Sequence, residues 1–103
     1  MNRYTTGQIV ETQVNFYDDN LNPVDPTSLT LQYRCTDIPT VHLTYSGSST
    51  PGVGYIFKEA VGQYQLNIDS TPLVGYLVWQ WTPSGVGQTV ISSSAIILPQ
   101  PVI

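Results

Sequence analysis

Polar and apolar residues alternate along most of this chain, most clearly over residues 62–81. There Tyr64, Leu66 and Ile68 fall on one side of the chain, and Leu77, Trp79 and Trp81 fall on one side of the following run. Successive side chains of a strand point to opposite faces, so each run predicts a strand with one apolar face. Ser70, Thr71 and Pro72 predict the turn between them. The two runs carry both tryptophans, so they predict the heaviest part of a β core, with Gln80 pointing out.

The same alternation recurs along the chain. Val10, Thr12, Val14 and Phe16 line one side of residues 8–16. Leu29, Leu31 and Tyr33 line residues 28–34, and Val41, Leu43 and Tyr45 line residues 40–45. Residues 55–59 form a weaker strand, and residues 88–98 form the last long one. Turn formers fill the gaps at residues 17–23, 35–39 and 83–87, and the Ser-, Gly- and Pro-rich segment 46–54 reads as a mobile loop. No helical period appears beyond a short turn near residues 70–73. About seven strands with frequent turn signals predict a single all-β domain over residues 1–103, an antiparallel sandwich. A short arm (residues 1–7) precedes it. An extended tail (residues 99–103) follows, because two prolines remove ladder donors.

Charge changes the picture. Only 10% of the 103 residues are charged, and the net charge is −4 with three basic side chains. Nucleic-acid binding needs clustered Lys and Arg, so that class is excluded, as is a basic patch for anionic membranes. No apolar run reaches the length of a membrane span. The N-terminus lacks the apolar core of a signal peptide, and Met1 points to a product made in a cytoplasm. The single cysteine, Cys35, forms no internal disulfide and lies in no electropositive setting, so it reads as an unreactive free thiol.

Candidate chemistry is sparse. Asp18, Asp19, Asn20 and Asp25 are the oxygens nearest to a calcium site, but their spacing is not that of an EF-hand, and they read as an Asx-type turn. His42, between Val41 and Leu43, points away from the apolar side and has no ligand-spaced partners. Ser92, Ser93 and Ser94 lack a nucleophile elbow and read as small residues beside bulky neighbours. The Gly-x-Gly pairs at Gly52 and Gly85 open no helix and read as turns. No cofactor is implied. Among the aromatics, Tyr33, Tyr45, Tyr64, Trp79 and Trp81 are inward, whereas Tyr4, Tyr17, Tyr55 and Tyr76 are freer.

The order of three motifs resembles a known family. An acidic turn (Asp18, Asp19, Asn20) leads into Pro23-Val24-Asp25-Pro26-Thr27 and an alternating strand. Gly62-Gln63-Tyr64 follows, and then Gly75 with Trp79 and Trp81. From about Gln8 to Leu98 this is similar to the small immunoglobulin-like structural proteins of tailed bacteriophages and prophages. A glycine usually stands in that family where this chain has Leu21, so the turn's positive φ is expected at Asn20 or Asn22. The resemblance implies an immunoglobulin-like sandwich. It also implies a non-enzymatic head or tail component of a virion, made in the host cytoplasm and acting through contacts with other phage structural proteins or with itself. A carbohydrate- or receptor-binding surface module is the competing reading. Contact candidates are Tyr55, Tyr76 and the tail residues Pro99, Pro101, Val102 and Ile103. The tail is a stiff stem with an apolar tip that either docks on a neighbour or folds back on its own domain or frays.

Overall fold

The computed structural model describes residues 2–36, 38–85 and 90–99. Eight strands form: β1 (Asn2–Thr5), β2 (Ile9–Asn15), β3 (Ser28–Cys35), β4 (Val41–Thr44), β5 (Ile56–Ala60), β6 (Gln63–Asp69), β7 (Gly75–Ser84) and β8 (Ile91–Leu98). A five-stranded sheet of order β1-β8-β7-β3-β4 faces a three-stranded sheet of order β2-β6-β5. With β2, β6 and β5 opposite β3, β4, β7 and β8, this is the strand division of an immunoglobulin-like sandwich.

Alternation sets the core. β2 buries Val10, Thr12 and Val14 and exposes the residues between them. From the other sheet β3 contributes Leu29 and Leu31, β7 contributes Leu77, Trp79 and Trp81, and β8 contributes Ala95 and Ile97. The connection from β6 to β7 crosses between the sheets, so the two strands of residues 62–81 face each other across the core. Trp81 is fully buried, and Ser93 stands opposite Trp79 in the β7–β8 ladder, where a small residue leaves room for the indole. The turn expected near residues 70–73 is present: the Leu73 amide donates to the Ser70 carbonyl at 2.9 Å.

Five expectations change. First, the strand count is eight, because the N-terminal arm contains β1, which joins the sheet and seats Tyr4 partly against the core. Second, β1 runs parallel to β8, from Asn2 opposite Ala95 to Thr5 opposite Leu98, so the sandwich is not wholly antiparallel. Third, Leu21 itself takes the positive φ, at 65°. The reason is local: the Asp18 carboxylate accepts the amides of Asn20 (2.8 Å) and Asn22 (3.0 Å), and the Leu21 amide donates to the Asp18 carbonyl. This net leaves residue 21 as the one that must reverse.

Fourth, segment 46–54 is tied down rather than loose. The Lys58 amide donates to the Ser48 carbonyl, Gly54 to Asn67, and the Tyr55 hydroxyl to the Thr50 carbonyl. Fifth, Pro83 and Ser84 extend β7, and Cys35 ends β3 as a buried residue. Pro83 pairs with Leu29 of β3. Gly62 shows why its motif needs glycine. Its φ is +73°, and an added Cβ would lie 2.6 Å from the Phe16 carbonyl oxygen and 2.9 Å from the Val24 nitrogen.

Candidate functional site

The three-stranded sheet is partly covered on its outer side. Phe57 and Gln65 point outward from β5 and β6 but are buried beneath the segment before β5. The five-stranded sheet has no such cover among the described residues, so its outer face is the surface on offer.

That face is built by the residues that alternate with the core rows. Ladder register places Gln32, Gln80 and Ser92 in one row, Arg34, Val78 and Ser94 in the next, and Tyr76, Ile96 and Arg3 in a third. Gln32 donates to Gln80 at 2.7 Å, and His42 stands exposed opposite Gln32 on β4. Tyr76 is 55% exposed, Val78 and Leu98 are exposed, and Ile96 is half-buried, so an apolar centre lies between Arg3 and Arg34. Two shallow depressions of about 600 and about 420 Å³ flank the Arg34–Val78 ridge. Gln32, Gln80, Ser92 and Ser94 line the first, and Thr36, Ile38, Pro39 and Tyr76 line the second.

The described acidic residues sit elsewhere. Asp18 holds its own turn, as described. Asp25 turns to a separate cluster and accepts from the Lys58 ammonium (2.6 Å), the Gly62 amide (2.8 Å) and the Tyr64 hydroxyl (3.1 Å). The Lys58 bond, and next the Gly62 amide, hold the Asp25 carboxyl below its ordinary value. Burial first, and then the bond to Asp25, push the Tyr64 hydroxyl upward. This cluster ties the segment before β3 to β5 and β6. No group of three or more His, Cys, Asp or Glu side chains able to hold a metal converges among the described residues.

Of the contact candidates, Tyr76 lies on the outer face, near the start of its middle strand β7. Tyr55 is on the other sheet, where its hydroxyl and its edge-on contact with Phe57 (6.3 Å between centroids) clasp the covering segment. Pro99 is exposed after β8, and Pro101, Val102 and Ile103 lie outside the described residues. Val78, Ile96, Leu98, Arg3 and Arg34 were not singled out from the sequence. The available signal was an apolar residue at an outward position of an alternating strand, as at Val78 between Leu77 and Trp79.

No protein-family model matches the chain, and no curated protein matches it. Among solved structures, it is similar to a crystal structure described as a "putative glycoside hydrolase" from Bacteroides vulgatus ATCC 8482, with 11% identity and a TM-score of 0.62. The match covers 98% of this chain but only 17% of that one, and at such identity it shows the fold alone.

Proposed function

We propose that the chain is a non-enzymatic structural component of a tailed-bacteriophage particle, working by protein–protein contact through the outer face of its five-stranded sheet. One observation carries the reading: Tyr76, Val78, Ile96 and Leu98 form an apolar centre between two arginines on a face that has no cover among the described residues. Interface cores are enriched in Tyr and Arg and depleted in acidic residues. The motif order that resembles phage immunoglobulin-like proteins supports the particle as the setting. The test is mass spectrometry of purified particles from a phage or lysogen encoding the chain, with the native protein and a Tyr76→Ser/Val78→Ser variant. The expected result is the native chain at fixed stoichiometry and the variant depleted. Absence of the native chain, or full incorporation of the variant, refutes the reading.

A carbohydrate-binding module takes support from the amide- and hydroxyl-lined depression on that face, across the Arg34–Val78 ridge from the one that Tyr76 lines. Against it, Tyr76 is the one exposed tyrosine or tryptophan ring on that face among the described residues, whereas Trp79 and Trp81 point into the core. Binding on a glycan array that is lost in Tyr76→Ala would reverse the preference.

A further inference from the structure

We infer that the occupant of this face is a second copy of the chain, docking through the acidic part of its three-stranded sheet's outer face that the segment before β5 leaves exposed, so that copies associate head to tail. The inference rests on the contact reading above and names its partner.

The charges are partitioned by sheet. Of three basic side chains, Lys58 is engaged by Asp25 at 2.6 Å. The other two, Arg3 and Arg34, both project from the outer face of the five-stranded sheet, exposed and without an ion-pair partner among the described residues. No described carboxylate shares that face. Glu11, Glu59 and Asp69 are exposed on the outer side of β2, β5 and β6, and Ile9, 42% exposed, stands opposite Asp69 in the β2–β6 ladder. Glu59 is placed there by the Gln13 amide, which donates to it at 3.1 Å.

One face therefore offers apolar groups with guanidinium flanks, and the other an apolar residue with carboxylate flanks. Pairing like with like leaves every arginine without a carboxylate, or sets Glu11 and Glu59 against their own copies. Pairing unlike faces satisfies both, and like charges brought into contact are costly. In a chain so poor in charge, with a screening length of about 8 Å at physiological salt, only charges at the contact itself discriminate. The two faces are different surfaces on opposite sides of one domain. The contact is thus heterologous, and repetition builds a ring or an open stack.

The test uses two charge-reversed variants in sedimentation velocity at low salt, up to about 1 mM protein. Arg3→Glu/Arg34→Glu spoils the basic face, and Glu11→Lys/Glu59→Lys spoils the acidic face. The native chain is expected to associate beyond a dimer and to weaken at least about tenfold with added salt. Each variant alone should stay monomeric. An equimolar mixture should associate again, because each variant keeps one native face and the two reversed faces also carry opposite charges. If a reversed variant does not fold, Arg3→Gln/Arg34→Gln and Glu11→Gln/Glu59→Gln test the same point by loss of association. A monomeric native chain, a variant that still associates alone, or a mixture that stays monomeric overturns the inference. A chain that is monomeric in solution but stoichiometric in particles ends this inference and leaves the contact reading intact. Absence from particles ends that reading, whatever the mixture does.

Discussion

Leu21 is the residue at which the backbone and the side chain disagree. Its φ of 65° lies in the left-handed region, where a Cβ costs about 1–2 kcal/mol. Its side chain is 79% exposed and has little burial to lose. Leu21→Gly removes the Cβ conflict but adds the unfolded-state freedom of glycine, roughly 0.5–1 kcal/mol. The difference is a net stabilisation of about 0.75 kcal/mol at the centres of the two ranges, within an interval of about 0–1.5 kcal/mol. For a domain of this size that raises the melting temperature by roughly 2–8 °C. Calorimetry on three proteins isolates the cause: native, Leu21→Gly and Leu21→Ala. Alanine removes the exposed leucine but keeps the Cβ, so it should not rise with glycine. Equal melting of the glycine and alanine variants, or a glycine variant below the native protein, would refute the argument from φ.

Three further outcomes follow from the geometry. Trp81→Ala empties a fully buried site and should cost about 3–5 kcal/mol by urea denaturation, whereas Gln80→Ala, which loses one outward amide bond, should cost about 1 kcal/mol or less. Gly62→Ala drives a Cβ into the backbone of Phe16 and Val24 and should cost at least about 2 kcal/mol; a smaller change in denaturant midpoint would mean that this corner yields easily. Asp25 has a folded-state carboxyl held below its ordinary 3.8, so its contribution is present above that value and is lost as pH falls through the lower folded one. Asp25→Asn should therefore be less stable at neutral pH and lose less on acidification, and parallel acid-denaturation curves would show that the cluster contributes nothing.

The core rows were legible because a period of two needs only neighbours in sequence: Leu77, Trp79 and Trp81 announce their side without knowledge of any partner. β1 was not legible. Four residues carry too little pattern, and their partner, β8, lies some ninety positions away, so local alternation holds no trace of the pairing. The covering of Phe57 is similar, since outward register and burial coincide there only because a distant loop folds over it. Leu21 was missed because residue preference points to asparagine, while the hydrogen bonds of Asp18 decide which residue turns. Part of the contact face was visible in Tyr76. Its flanks were not, since Arg3 and Arg34 are 31 positions apart in sequence and meet on one surface only after β3, β7, β8 and β1 align.

The parallel pairing of β1 with β8 also sets how the domain carries tension. A pull on Asn2 and an opposing pull on Leu98 run along the two strands in opposite senses, so the ladder from Asn2–Ala95 to Thr5–Leu98 is loaded in shear. Its rungs must then fail together, whereas an antiparallel pair pulled from its open end parts one rung at a time. The Thr6 amide, which donates to the Leu98 carbonyl at 2.8 Å, adds a further rung at the loaded end. Resistance to such a pull is a matter of unfolding rate rather than of equilibrium stability. A short strand that contributes only Tyr4 to the core thus sits where it can govern mechanical strength.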